Sequence, residues 1–99
     1  MANRKISWDI GALKEFEQGI DYIAGSSVQN AEKVRQEIVN RIEQLLDNPE
    51  RHAPDKFKIN NDGNYRAFEL HRYRISYFVA INEIRILQIR HTGREPKSY

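Results

Sequence analysis

Hydrophobic residues recur at helical spacing in the first part of the chain. A short strand is predicted over residues 5–8, and beyond it an apolar residue falls at every third or fourth position as far as Ala24. Asp9 stands where an N-cap is expected, so the segment is predicted to be a helix. Its apolar stripe consists of Ala12, Leu13, Phe16, Ile20 and Ile23.

A second stretch with the same spacing follows the break at residues 25–27. Ser26 with Gln29 three residues later has the form of a capping box, and residues 47–49 (DNP) mark the end because proline cannot continue a helix. The apolar stripe comprises Ala31, Val34, Ile38, Val39, Ile42, Leu45 and Leu46. The first half is therefore predicted to be an antiparallel helical hairpin.

The second half changes from helical spacing to the alternation of strands. Residues 50–64 are polar, carry turn signals and predict a loop around one short strand near Phe57. Three strands are then predicted: Tyr65 to Leu70, Tyr73 to Ala80, and Ile84 to His91. Because their links are very short, they form an antiparallel meander, and the fold class is α+β, with both helices on one face of a small, mainly antiparallel sheet.

Two-residue turns at residues 71–72 and 81–82 decide which side chains share a face. The face predicted to pack on the helices consists of Phe68, Leu70, Ile75, Tyr77, Val79, Ile84 and Ile86. The opposite, uncovered face is predicted to hold Glu69, Arg74, Ser76, Phe78, Leu87, Ile89 and His91. On this register Arg74 faces Ile89 and lies diagonally from His91.

Composition limits the kind of protein this chain is. Its 99 residues, 39% hydrophobic and 30% charged, suit one globular domain spanning 1–99. It has no cysteine, which excludes disulfides and thiolate chemistry. No apolar stretch is long enough for a signal peptide or a membrane span, so a cytoplasmic protein is expected.

Charge is unevenly distributed between the two halves of the sequence. Residues 1–50 carry six Lys/Arg and nine Asp/Glu, whereas residues 51–99 carry ten and five. All three histidines and four of the five tyrosines also lie in the basic half. The second half is therefore expected to meet an anionic partner, although small domains also show such asymmetry by chance.

The last strand and the tail after it hold the candidate chemistry. RNA cleavage through the 2′-hydroxyl needs a base, an acid and cations on the phosphate. Candidate catalytic residues are Arg74, His91, Arg94 and Tyr99, with Glu69 as an alternative base. Arg66, Arg90 and Lys97 are candidates for substrate or partner binding, with an anchoring role first for Arg66. The alternative is a cross-strand ion pair between Glu69 and Arg74 and a merely exposed histidine.

Sites for cofactors and metals are not indicated by the sequence. The histidines are 19 and 20 residues apart without an acidic cluster, and no glycine-rich phosphate loop is present.

The order of these elements and two motifs resemble one family. GNYRAFELHRYRISYFV (63–79) and IRILQIRHTGREPKSY (84–99) are similar to segments of the RelE/ParE superfamily, the toxins of bacterial type II toxin-antitoxin modules, including plasmid stabilization proteins. The similarity extends over nearly the whole chain. It implies a small toxin that a labile antitoxin neutralises by wrapping its C-terminal segment around the toxin.

The resemblance implies two rival mechanisms. RelE-type members are ribosome-dependent endoribonucleases, or mRNA interferases; by motif, Arg74 matches their strand arginine, and Arg94 and Tyr99 match their tail residues. ParE-type members inhibit DNA gyrase without that catalytic set. The strand YRAFEL has Arg66 as its only cation, whereas RelE-type enzymes tend to carry lysines there. A third possibility is a degenerate toxin that only binds antitoxin.

Overall fold

The computed structural model describes residues 3–99. Met1 and Ala2, at the start of the segment that lacks a signal-peptide pattern, lie outside the described residues. Six elements follow one another along the chain: β1 (Lys5–Trp8), α1 (Ile10–Ala24), α2 (Val28–Gln44), β2 (Tyr65–Leu70), β3 (Tyr73–Val79) and β4 (Glu83–His91).

The four strands form one mixed sheet in the order β1-β4-β3-β2. The three later strands are an antiparallel meander, and β1 joins the edge of β4 in parallel. That parallel pair needs a long crossover, which the helical hairpin supplies. The predicted fold class, a helical hairpin on one face of a mainly antiparallel sheet, is confirmed.

The helices bury the stripes that their spacing predicts. Ala12, Phe16 and Ile20 of α1 are buried, as are four residues of α2 together with Leu45. Asp9 is the N-cap of α1 by position, but its carboxylate accepts a hydrogen bond from Arg85 at 2.7 Å instead of capping the helix. The helix-facing surface of the sheet contributes Phe68, Ile75, Tyr77, Ile84, Ile86 and Ile89.

Two predictions are wrong, one for the start of α2 and one for the loop after it. The N-cap is Ser27, not Ser26, and its hydroxyl accepts from the amide of Asn30 at 3.0 Å. No strand forms near Phe57 within residues 3–99; the loop instead makes an isolated bridge to β2 at Pro54. Two backbone bonds flank this bridge, from the Asp55 amide to the Tyr65 carbonyl at 2.8 Å and from the Ala67 amide to the Ala53 carbonyl at 3.3 Å.

The turn between β2 and β3 has the predicted register, with Glu69 opposite Arg74. Between β3 and β4 the register holds only as far as Tyr77 opposite Ile86. A β-bulge follows, because Ser76 pairs with Gln88 and Leu87 has no partner in the ladder.

The bulge reverses the predicted faces at the end of β4. Ile89 pairs with Ile75 and is buried in the core, so its predicted place on the uncovered face is wrong. Arg74 lies opposite Arg90 rather than Ile89. His91 lies opposite Tyr73, on the side of the sheet that faces the helices, and not diagonally from Arg74.

None of the helices in residues 3–99 is long and apolar enough to cross a membrane.

Candidate functional site

An open cleft of about 160 Å³ lies on the face of the sheet that the helices leave uncovered. Its floor comes from β2, β3 and β4, one wall is the loop at residues 55–57, and the tail after β4 crosses the other side. The predicted site residues that line the cleft are Glu69, Arg74, Arg90, His91, Arg94, Lys97 and Tyr99.

The centre of the cleft is a buried carboxylate that joins two candidate residues. Asp55 accepts a hydrogen bond from Arg74 Nη2 on Oδ1 and one from the Tyr99 hydroxyl on Oδ2, both at 2.7 Å. The amide of Phe57 also donates to Oδ1, at 3.1 Å. The Asp55 side chain is fully buried, so all of its stabilisation comes from these donors.

The pKa of Asp55 reflects this balance. Burial alone would raise it, but the hydrogen bonds from Tyr99, Arg74 and the Phe57 amide, together with the Arg74 charge, outweigh burial and lower the pKa below its usual range. Asp55 is therefore an ionised acceptor at neutral pH. Its charge is used inside the protein, because Arg74 neutralises it directly.

Tyr99 fixes the tail over the cleft. Its amide donates to the Phe57 carbonyl at 3.0 Å, and its carbonyl accepts from the amide of Ile59 at 2.6 Å. Both backbone groups of Tyr99 are therefore bonded to the loop. Burial first, and then the bond to Asp55, raise the pKa of the Tyr99 phenol. A phenol held in this way keeps its proton and is a poor general acid.

Arg74 is surrounded on three sides. Besides Asp55 it donates to Glu69 Oε2 at 3.1 Å, and its guanidinium lies 4.9 Å from the centre of the Phe57 ring. Its Nε is buried and has no hydrogen-bond partner within residues 3–99. Glu69 and Arg74 thus form the cross-strand pair, and Asp55 holds the guanidinium from the opposite side.

His91 and Arg94 lie at the rim of the cleft, away from Asp55. The His91 ring meets Tyr73 edge-on at 5.4 Å, and its Nδ1 accepts from the amide of Gly93 at 2.9 Å. Both residues also line a second hollow against α1, beside Gly19. The structure therefore brings Arg74 and Tyr99 together and places His91 at the edge of that cluster.

The remaining basic candidates divide into two groups. Arg90, Arg94 and Lys97 line the cleft and form no ion pair with any carboxylate of residues 3–99. Arg66 lies outside the cleft, where it donates to the carbonyl of His52 at 2.6 Å and anchors the loop. The cleft consequently has a surplus of positive charge at its rim.

Sequence reasoning missed Asp55. It stands in a polar loop where an acidic residue is ordinary, and only contacts distant in sequence, to Arg74 and Tyr99, bury it. The faint local signal is Pro54 before it and the Phe57 amide two residues later, a pattern typical of an Asx-turn. Gln88 was also missed. The bulge shifts the alternation of β4, so that Gln88 lines the cleft in place of the predicted Leu87 and Ile89.

The arrangement is suited to holding an anion more than to moving a proton. Cations at the rim attract negative charge, while the buried Asp55 carboxylate is neutralised and the tail phenol is bound to it.

Comparison with protein-family models identifies the family of this chain. The family model described as "ParE toxin of type II toxin-antitoxin system, parDE" matches residues 6–96. The chain belongs to the ParE toxin family. The family implies a cognate antitoxin as its partner.

Two solved structures share the fold of this ParE-family chain. One, titled "Chromosomal ParDE TA system from P. aeruginosa", has a TM-score of 0.71 and 21% identity, covering 89% of this chain and 95% of its own. The other, "The structure of YoeB dimer from Staphylococcus aureus", has a TM-score of 0.60 and 20% identity, covering 91% and 98%. A search of curated proteins gave no match.

Proposed function

We propose that this chain is a growth-inhibiting toxin that acts on DNA gyrase by binding, and that a cognate antitoxin neutralises it. It acts in the cytoplasm, where gyrase and DNA are found. The observation that carries the proposal is the cluster at Asp55. Arg74 and Tyr99, which a nuclease would need free, both donate to this buried carboxylate at 2.7 Å.

The role of the cleft in this proposal is recognition. The Asp55 cluster fixes the tail, and the tail presents Arg94 and Lys97 beside Arg90 of β4. Cations at the rim favour an anionic surface, either acidic side chains of gyrase or the DNA bound to it. A binding toxin needs no proton transfer, which agrees with a phenol whose pKa is raised.

Cleavage of mRNA on the ribosome is the second candidate. It is supported by His91 and Arg94, which lie at the rim of the cleft that contains Arg74 and could supply a base and a phosphate contact. On this mechanism Tyr99 would have to leave Asp55 when RNA binds.

A single induction experiment separates the candidates. The chain is expressed in bacteria without antitoxin, and growth, gyrase trapped on broken DNA and the 5′ ends of ribosome-bound mRNA are followed together. Purified protein is then added to a gyrase supercoiling assay. We expect growth arrest with trapped gyrase and uncut mRNA. Cut mRNA with intact DNA would support the second candidate instead, and normal growth would indicate a degenerate toxin that only binds antitoxin.

Charge reversal tests the role of the rim. The double variant Arg90→Glu and Lys97→Glu should weaken gyrase inhibition by roughly tenfold or more, because two favourable charges become repulsive. Lys33→Glu, which reverses an exposed charge on α2, is the matched control and should inhibit like the parent. Equal inhibition by all three proteins would exclude the rim as the binding surface.

Tyr99→Phe distinguishes binding from catalysis at the tail. It removes the hydroxyl that donates to Asp55 but keeps the ring. The lost bond to the ionised carboxylate should cost about 1.5–3 kcal/mol of stability. A gyrase inhibitor should nevertheless keep most of its activity, since the two main-chain bonds of Tyr99 still hold the tail and no rim cation is removed. A nuclease that uses the phenol would lose cleavage altogether.

A further inference from the structure

The segment that leads to Asp55 runs along the free edge of β2. The carbonyls of His52 and Ala53 accept from the Arg66 side chain at 2.6 Å and the Ala67 amide at 3.3 Å. The amide of Asp55 then donates to the carbonyl of Tyr65 at 2.8 Å. Residues 52–55 are therefore held beside β2 by three contacts, and this short segment carries both the His52 ring and the Asp55 carboxylate.

The two ends of the segment lie on opposite sides of the sheet. The Asp55 carboxylate enters the cleft on the uncovered side, whereas the His52 ring packs on the core side. That ring stacks on Phe68 with centroids 4.6 Å apart and meets Tyr77 edge-on at 6.4 Å. The His52 ring thus packs against core residues and anchors the segment that positions Asp55.

The surroundings of His52 suit a neutral ring only. Its Nε2 is buried and has no hydrogen-bond partner within the described part of the chain. A protonated ring needs an acceptor on both nitrogens, and here one would be missing.

The charged groups around the ring also disfavour a positive charge on His52 itself. Arg41 reaches over Phe68 from α2, Arg51 precedes the ring in the loop, and Arg66 comes from β2. From β3, Tyr77 faces the ring with a neutral phenol that donates to the carbonyl of Pro49. Burial first, then Arg41 and Arg51, lower the pKa of His52.

We propose that His52 is a positioning residue for Asp55, and that protonation of its ring loosens the segment at residues 52–55 and releases Arg74 and Tyr99 from the carboxylate. Acid then changes the shape of the cleft through a residue that does not line it. The consequence for toxicity rests on the proposed function, whereas the coupling inside the protein does not.

The test is an NMR titration of the purified chain from about pH 7.5 to pH 5, a range chosen around the ordinary histidine pKa near 6.5. The probes are the ring protons of the three histidines, the ring of Tyr99 and the Nε–H of Arg74, which is buried in the structure. We expect Tyr99 to shift, and the Arg74 signal to broaden through exchange, with the same midpoint as His52 and below 6.5.

Two variants assign the effect to one ring. His52→Phe keeps an aromatic ring on Phe68 but cannot be protonated, so Tyr99 and Arg74 should stay unchanged across the titration. His91→Phe is the control that leaves His52 intact and should titrate like the parent.

The inference is overturned if Tyr99 and Arg74 stay constant while His52 titrates, or if His52→Phe shows the same shifts as the parent. Should His52→Phe fail to fold, the comparison of midpoints in the parent and in His91→Phe still decides the matter. Since no growth assay is involved, failure here is separate from failure of the gyrase proposal.

Discussion

At the scale of single residues, one carboxylate accounts for the architecture of the candidate site. Asp55 is buried, yet it remains ionised because Arg74, Tyr99 and a backbone amide all donate to it. Glu69 contacts the same guanidinium from solvent, with its side chain 56% exposed. The two carboxylates therefore share a partner but differ in environment, which makes their contributions to stability separable.

Replacing Asp55 should cost far more stability than replacing Glu69. Asp55→Asn removes the negative charge and leaves the Arg74 guanidinium without its buried partner, which should lower the free energy of unfolding by about 3 kcal/mol. Glu69→Gln is the matched control and should cost less than about 1 kcal/mol, since that pair is exposed to solvent. Urea denaturation measures both. Equal losses would mean that Asp55 is not the dominant partner of Arg74.

Which residues gather in the cleft could be predicted only in part. Strand alternation was enough to place Glu69 opposite Arg74, because a two-residue turn fixes that register locally. The tail residues Arg94 and Lys97 were found from their type and their place after a strand. Asp55 could not be found, since its burial depends on a tail more than forty positions away folding back over the loop.

At the scale of elements, local patterns predicted both helices and the strands β1 to β4. They wrongly added a strand near Phe57 and did not predict the bulge in β4. The helical stripes and the β2–β3 turn follow from spacing and length alone. The bulge at Leu87 adds one residue to β4, and no proline or glycine marks it. The residues of β4 after the bulge face the opposite side of the sheet from the one predicted. Ile89 therefore lies in the core and Arg90 lines the cleft.

The turn between β2 and β3 offers a route to higher stability. His71 and Arg72 both adopt left-handed backbone geometry, with φ of 52° and 65°, as a tight hairpin turn requires. His71 also contacts Glu37 of α2 at 3.3 Å, whereas the Arg72 side chain is exposed. Arg72 is therefore the position where a glycine relieves strain without removing a contact.

Arg72→Gly should raise the free energy of unfolding by about 0.5–1 kcal/mol, because relief of the left-handed conformation exceeds the added entropy of glycine in the unfolded chain. Arg72→Ala, which loses the same charge but keeps Cβ, is the control and should show no gain. Thermal and urea denaturation of the three proteins measure the difference. A gain in the alanine variant would attribute the effect to charge instead of backbone geometry.

At the scale of the whole molecule, the basic half of the sequence is folded so that its charges divide between two tasks. Arg66 and Arg74 hold the loop and its carboxylate, and the rim cations remain available to a partner. Two of the tyrosines also serve the fold, because Tyr77 lies in the core and Tyr99 fixes the tail. The asymmetry that suggested an anionic partner therefore serves the fold as much as the surface.

The raised pKa values of Tyr77 and Tyr99 predict a loss of stability at alkaline pH. Burial raises the pKa of Tyr77 from 10.0 to about 12, and that of Tyr99 is raised as well. The folded state therefore keeps protons that the unfolded chain releases above pH 10, so stability is intact below that value and falls as pH rises further. For Tyr77 alone, a rise from 10.0 to about 12 is worth roughly 3 kcal/mol.

Urea denaturation at a series of pH values, with tyrosinate absorbance recorded in parallel, measures this loss. Tyr77→Phe should reduce the alkaline decline because phenylalanine cannot ionise, although it gives up the bond to the Pro49 carbonyl and begins from a lower stability. Tyr22→Phe, at a tyrosine that is 84% exposed, is the control and should decline like the parent. An identical decline in all three proteins would place its origin outside Tyr77.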